Sequence, residues 1–169
     1  MRLLVLIRHA KAERGAADDR ARRLTGQGRA DAAALGRWLA DAGLDADLVL
    51  VSPAKRAEET WRLAAEAGAR GRAVGCDALY DANLDTILDL VAGCGDGVAA
   101  LGVVGHNPTL QEAADALLAE RDGAALGGSF PPGTAVALRF DVEHWAEIRP
   151  GEGALHRFAT PRLLGAGGG

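Results

Sequence analysis

Three short apolar runs in this chain end in the same way, and that recurrence limits the fold more than any other feature. Leu3-Leu4-Val5-Leu6-Ile7 breaks into Arg8-His9. Asp47-Leu48-Val49-Leu50-Val51 breaks into Ser52-Pro53. Val98 to Val104 breaks into Gly105-His106-Asn107-Pro108. Runs of this length, rich in branched side chains, read as strands buried on both faces. Helical patterning follows each of them. Strands alternating with helices predict an α/β protein with a mostly parallel sheet, a three-layer α/β/α sandwich.

The connecting segments fill in the outline. Leu24-Thr25-Gly26-Gln27-Gly28 reads as a helix start with Thr25 as N-cap. Ala30, Ala33, Ala34, Trp38 and Leu39 give its inward stripe, and Gly43 its stop. Ser52 suits the N-cap of a second helix and Pro53 its first position, with Ala57, Trp61, Ala64 and Ala67 facing inward. Arg72 to Cys76 carries a sparser strand pattern. Leu84, Ile87, Leu88 and Val91 mark a short helix, and Leu110, Ala113, Ala114, Leu117 and Leu118 another. Asp122 to Gly133 reads as loop. Thr134 to Phe140 and Glu143 to Ile148 read as a hairpin or two edge strands turning near Asp141.

A chain of 169 residues suits one domain, here residues 1–164, with Gly165 to Gly169 as a flexible tail. The net charge of -4 argues against a general nucleic-acid binder, which would carry a basic face. The first apolar run is too short for a signal peptide or a bilayer span, so no membrane partner is expected and the cytoplasm is the default location. Cys76 and Cys94 lie in no zinc-like spacing, and no Asp/Glu/His cluster resembles a metal cage, so no metal or other cofactor is expected. Gly93, Gly95 and Gly97 do not open a helix after a strand, which excludes a dinucleotide fingerprint; no P-loop is present either.

Ligands of parallel sheets bind beyond the carboxyl ends of the strands. Arg8, His9, Arg56 and His106 all fall there. Taken singly, each has an ordinary reading: Arg56 suits a surface arginine as well as an anion site, and His106 a capping or core histidine. Together, two imidazoles and two guanidiniums on one rim ask for a dianion. A phosphoryl group carries about -1.5 to -2 charge near neutral pH, and arginine forks match its oxygens. One imidazole must be neutral to attack phosphorus, with its other nitrogen tied to an acceptor such as a backbone carbonyl. The other can donate to a phosphoryl oxygen as charge spreads. The polar stretch from Lys11 to Arg23 reads as an exposed loop able to fold over the site. Whether Lys11, Arg14 or the Arg20 to Arg23 run touches substrate stays open.

Four segments in order carry a resemblance that covers nearly the whole chain. They are Arg8-His9-Ala10-Lys11-Ala12-Glu13, Leu24-Thr25-Gly26-Gln27-Gly28, Ser52-Pro53-Ala54-Lys55-Arg56-Ala57-Glu58-Glu59-Thr60, and Gly105-His106-Asn107-Pro108. The sequence resembles the histidine phosphatase superfamily, also called phosphoglycerate-mutase-like, and in its compact size the SixA-type phosphohistidine phosphatases. The resemblance implies a compact fold without a large lid insertion and a phosphorylated intermediate on His9. It also implies phosphoryl oxygens held by Arg8, Arg56 and His106, and hydrolysis by water. Ala10 stands where the wider superfamily usually has glycine, as in many short members. Larger members carry a glutamate acid after the second strand. Leu79-Tyr80-Asp81 falls in the matching region, so Asp81 is the candidate general acid, although a helix-capping aspartate reads that position equally.

A short chain without a lid predicts a shallow site for a phosphoryl group presented on a protein. The expected partner is therefore a phosphohistidine protein, with small phosphate monoesters next. A phosphomutase of the same fold would need a pocket for two phosphates. A non-catalytic phosphate-binding or scaffold module would be expected to lack one of the four groups, and all four are present. The sequence does not indicate an oligomeric state.

Overall fold

The computed structural model describes residues 1–166. In chain order the elements are β1 (Arg2–Arg8), α1 (Gly26–Asp41), β2 (Leu48–Val51), α2 (Lys55–Glu66), β3 (Arg72–Gly75), α3 (Leu84–Ala92), β4 (Ala100–Gly105), α4 (Thr109–Leu117), α5 (Glu120–Gly123), β5 (Ala135–Phe140), β6 (Ala154–Ala159) and α6 (Pro161–Ala166). The six strands form one sheet in the order β3-β2-β4-β1-β5-β6. β1 to β4 pair in parallel, and β5 and β6 join antiparallel.

Alternation along β1 explains the layering. Leu4 and Leu6 point to one face, where Ile87, Val91, Leu110 and Leu117 of α3 and α4 meet them. Val5 and Ile7 point to the other, against Leu35, Leu39, Trp61 and Ala64 of α1 and α2. The sheet is thus covered on both sides, and a run without polar alternation is what a central strand requires. Each such Val, Leu or Ile side chain stabilises the fold by roughly 1.5–3 kcal/mol on full burial. The apolar faces of α3 and α4 lie as their periodicity predicts, with Ile87, Val91, Leu110, Ala113, Ala114 and Leu117 buried.

Thr25 caps α1 as expected, accepting from the Gly28 amide at 3.0 Å. The inward stripe of that helix differs from the sequence reading. Ala32, Leu35, Gly36 and Leu39 are buried, whereas Ala30 is exposed and Ala33, Ala34 and Trp38 are half-buried. The cause is backbone proximity. A Cβ on Gly36 would lie 2.1 Å from the Ala64 carbonyl oxygen, so glycine lets α1 and α2 approach closely there.

Ser52 is not the cap of α2. That helix starts at Lys55 after Ala54, and Ser52 turns its hydroxyl to His106 instead. Glu143 to Ile148 is not a strand. The Glu147 carboxylate accepts from the amides of Glu143 and His144 and curls the segment into a 3-10 turn, Trp145–Glu147. Trp145 is wholly buried there and donates to the Val98 carbonyl at 2.7 Å. The partner of β5 is β6, and β5 lies inside the sheet. The expected loop from Asp122 to Gly133 begins inside α5. Of the glycine-rich terminus, Gly165 and Ala166 close α6, and residues 167–169 lie outside the described residues. Among the described residues no helix is long and apolar enough to cross a membrane.

Candidate active site

The sheet register brings the two histidines together. Arg8 of β1 pairs with Gly105 of β4, so His9 and His106 leave adjacent parallel strands side by side. Their ring centroids are 5.3 Å apart and tilted by 55°. The His9 amide donates to the Gly105 carbonyl at 3.0 Å, which fixes the backbone at the point of exit.

The His9 ring is held in one tautomer. Its Nδ1 lies 2.7 Å from the Ala10 carbonyl oxygen. A carbonyl can only accept, so Nδ1 carries the proton and Nε2 keeps its lone pair. α2 secures this arrangement. The Ala10 amide donates to Thr60 Oγ1 at 2.9 Å, and the Thr60 hydroxyl donates to the Arg56 carbonyl at 2.6 Å. Burial pushes the His9 pKa down to about 3 against the opposing Ala10 hydrogen bond, and the charges of His106, Arg56 and Arg8 lower it further. His106 is pushed down to about 4, chiefly by burial and then by Arg56. Both imidazoles are therefore neutral near pH 7.

Arg56 occupies the second position of α2 and is 7% exposed. Its Nη1 donates to the Asp19 carbonyl at 2.9 Å, and its Nη2 lies 3.2 Å from Asp19 Oδ2. The same carboxylate accepts from the Tyr80 hydroxyl at 2.6 Å and from Arg22 Nη1 at 2.9 Å. Those bonds, Tyr80 first, hold the Asp19 carboxyl well below the usual range. The loop from Lys11 to Arg23 thus folds over the site as the sequence reading allowed. Glu59, 2% exposed, anchors the end of this loop by accepting from the Leu24 amide at 2.8 Å and from Arg23 Nε at 2.9 Å.

Arg8 Nη1 donates to the Phe130 carbonyl at 2.8 Å, and Asn107 Nδ2 reaches the same oxygen at 3.2 Å. His106 Nε2 is 2.7 Å from Ser52 Oγ. Arg8, His9, Arg56 and His106 line one cavity of about 640 Å³ together with Lys11, Arg14 and Arg22. Arg8 Nε, Arg56 Nε and His106 Nδ1 are buried without a hydrogen-bond partner among the described residues. The two arginine nitrogens are donors, and buried donors left over in this way are costly unless an acceptor meets them. Donors gathered from three separate strand exits suit an anion with several oxygens.

Asp81 is absent from the lining of the larger cavity, though its charge reaches His106 and opposes the lowering of that histidine's pKa. It lines a smaller neighbouring cavity of about 270 Å³ that also touches Tyr80, His106 and Asn107. His144 bonds Asp96 and His156 bonds Arg139, both outside the larger cavity. Among the described residues no three His, Cys, Asp or Glu side chains are grouped to hold a metal ion.

Sequence reasoning did not single out Asp19, Ser52, Glu59 or Thr60 for the roles they have here. Glu59 and Thr60 stand within the segment that carried Arg56, and a buried acid followed by a hydroxyl on that helix was the available signal. Asp19 sits in a charged run that reads as solvated surface, and no local signal marks it.

Comparison with known proteins agrees with this geometry. The family description for the histidine phosphatase superfamily (branch 1) matches residues 4–85. The uncharacterized protein Rv1276c of Mycobacterium tuberculosis is 36% identical over 167 residues, covering 92% of this chain and 100% of the relative. The protein named SixA from Nakamurella multipartitia superposes with a TM-score of 0.82 at 32% identity, covering 95% of this chain and 96% of that one. The protein histidine phosphatase SixA in complex with tungstate gives 0.79 at 23% identity over 96% and 99% of the two chains, a likeness of fold.

Proposed function

The chain belongs to the histidine phosphatase superfamily, and from that premise we propose that it hydrolyses phosphohistidine on a partner protein through a phosphoenzyme on His9. The observation that carries this reading is the Nδ1 to Ala10 carbonyl bond at 2.7 Å. It leaves a buried, neutral imidazole with one nucleophilic nitrogen in a cavity shared with two guanidiniums.

In the first step His9 Nε2 attacks phosphorus. An N–P bond to His9 forms as the bond to the leaving imidazole breaks; the substrate ring takes a proton from solvent on its other nitrogen beforehand, so it leaves as neutral imidazole. Arg8, Arg56 and His106 balance the charge on the phosphoryl oxygens. His106 donates through a nitrogen, so binding either takes Nε2 from Ser52 or uses the unpartnered Nδ1. In the second step water attacks phosphorus, the N–P bond breaks, inorganic phosphate leaves and His9 returns to its starting state. An imidazole already protonated on its far nitrogen leaves neutral and needs no acid from the protein, which suits a cavity that Asp81 does not line. The reading carries with it a cytoplasmic location.

Small phosphate monoesters form a second reading. A cavity of about 640 Å³ is of the size that takes a small organic ligand, since such pockets span about 300–1,000 Å³.

The test is to mix the protein with a ³²P-labelled phosphohistidine protein and quench within the first turnover. An acid-labile, alkali-stable label on His9, absent from His9→Ala, is expected. Turnover without such a label, or with the label retained in His9→Ala, would overturn the proposal.

A further inference from the structure

The cavity around His9 is larger and more cationic than one phosphoryl group requires. Lys11, Arg14, Arg22 and Arg162 line it beyond Arg8 and Arg56, and among the described residues Asp31 is the one carboxylate that lines it. The chain as a whole is acidic, with 23 Asp and Glu against 19 Lys and Arg. Six cations facing one cavity is therefore a local concentration against the overall balance.

These cations are not equivalent. Arg22 is already bonded to Asp19 and to the Glu13 carbonyl. Lys11, Arg14 and Arg162 have no carboxylate within ion-pair distance among the described residues. Arg14 and Arg162 come from opposite ends of the chain, and packing sets the second one in place. Gly133, at φ +84°, lies under Pro161, so that a Cβ there would sit 3.0 Å from Pro161 Cγ and 3.9 Å from Ala10 Cα. The start of α6 is thereby seated on Gly133, which itself lies beside the residue that follows His9. Pro131, Pro132 and Pro161 add apolar wall to the same cavity.

Resting on the phosphatase reading above, we propose that the substrate carries a second anionic group beside its phosphoryl group. Arg14 and Arg162, with Lys11, form the subsite that receives it. The proline wall contacts the organic link between the two anions. The second anion is either a carboxylate or phosphate on a small phosphate ester, or acidic side chains flanking the phosphorylated residue of a protein. The chemistry is shared, and the test separates the sources.

Binding is measured by calorimetry with non-hydrolysable probes, so its outcome does not depend on turnover. The small pair is propylphosphonate against 3-phosphonopropionate. The peptide pair carries a phosphonate analogue of phosphohistidine flanked by alanines or by glutamates. In about 0.1 M salt the two-anion member of at least one pair is expected to bind on the order of tenfold tighter, as a charge-assisted hydrogen bond allows. The preference shrinks in about 1 M salt, where charges are screened within about 3 Å. R14A/R162A is expected to lose it, and R14E/R162E to reverse it. Preference in the small pair assigns the anion to a small ester, and preference in the peptide pair assigns it to a protein. Equal binding within both pairs, or a preference that survives in R14E/R162E, would overturn the inference even where the His9 label forms. A preference without that label would leave the subsite standing and remove the proposed reaction.

Discussion

Asp19 holds Arg56 by two bonds, one from each terminal nitrogen of the guanidinium: 3.2 Å from Nη2 to the carboxylate and 2.9 Å from Nη1 to the backbone carbonyl. The arginine side chain is 9% exposed and the aspartate side chain 50%. The arginine is thus fixed in the wall, while its partner sits at the solvent edge. An incoming phosphoryl group competes with that carboxylate for the same cation. A half-exposed ion pair contributes only about 0.2–1 kcal/mol, and a phosphoryl group brings up to about two charges.

Relieving the competition should therefore strengthen anion binding. Asp19→Asn keeps the backbone bond to Nη1 and removes the charge. Tungstate or inorganic phosphate is expected to inhibit this variant about two- to fivefold more strongly than the parent, the range that such a weak pair implies. Inhibition constants at one ionic strength measure it. Weaker inhibition in Asp19→Asn would mean that the carboxylate chiefly orients the guanidinium.

Thr60 tests the support beneath His9. Its hydroxyl is buried, accepts from the Ala10 amide and donates to the Arg56 carbonyl. Thr60→Val keeps the shape and leaves the Ala10 N–H without its acceptor, at a cost of about 1–3 kcal/mol. The Ala10 carbonyl that orients the imidazole is released at the same time. A lower thermal midpoint is expected together with a lower kcat at nearly constant KM, whereas Thr60→Ser should restore both. A fall in the midpoint alone would restrict Thr60 to packing.

Much of this was legible in the sequence, and for a definite reason. The central strands lack polar alternation, so their apolar runs stand out, and the residues that end them must lie at the sheet's carboxyl edge. That placed Arg8, His9, Arg56 and His106 on one rim without coordinates. The register that sets the ring centroids 5.3 Å apart needed the structure. The misread elements share a cause as well. Alanine carries little pattern, so the face of α1 was displaced onto Ala30 and Ala33 while Gly28 and Gly36 faced inward. The segment 143–148 has strand-like composition, but Glu147 captures two backbone amides and bends it. Asp19 could not be found locally, because its role depends on Arg56 and on Tyr80, 61 residues further along.

Gly36 makes the packing argument quantitative. A Cβ at this position would meet the Ala64 carbonyl oxygen at 2.1 Å, a backbone atom that cannot swing aside. Alanine is normally the better helix former by about 1 kcal/mol. Gly36→Ala should nonetheless destabilise, by about 1–3 kcal/mol through overpacking. Urea denaturation is expected to give a lower midpoint at unchanged slope, with kcat per folded molecule little altered. A rise in stability would mean that α1 and α2 can separate freely.

The pH dependence follows from the two neutral histidines. An unburied imidazole titrates near 6.5, whereas burial pushes His9 down to about 3 and His106 to about 4. In the free protein the nucleophile is therefore unprotonated throughout the range from pH 5 to 8. Measured on a phosphate monoester and divided by that substrate's own ionisation near pH 6, kcat/KM should stay flat on the acid side down to about pH 4. A fall centred near 6.5 would contradict the buried, neutral ring. Stability should behave differently. Between about pH 6.5 and 4 the unfolded chain binds protons at both positions and the folded chain does not, so acid favours unfolding. Each histidine contributes a slope of up to about 1.4 kcal/mol per pH unit in that window. The contribution is complete above pH 6.5 and declines as pH falls. Below about pH 4, carboxylates such as Asp19 protonate in the unfolded chain while the fold holds them ionised, which adds to the loss. Thermal midpoints across pH 4–7 for the parent and for His9→Gln/His106→Gln measure the difference. The double variant should be flatter in acid, because the two groups that resist protonation in the folded state are gone.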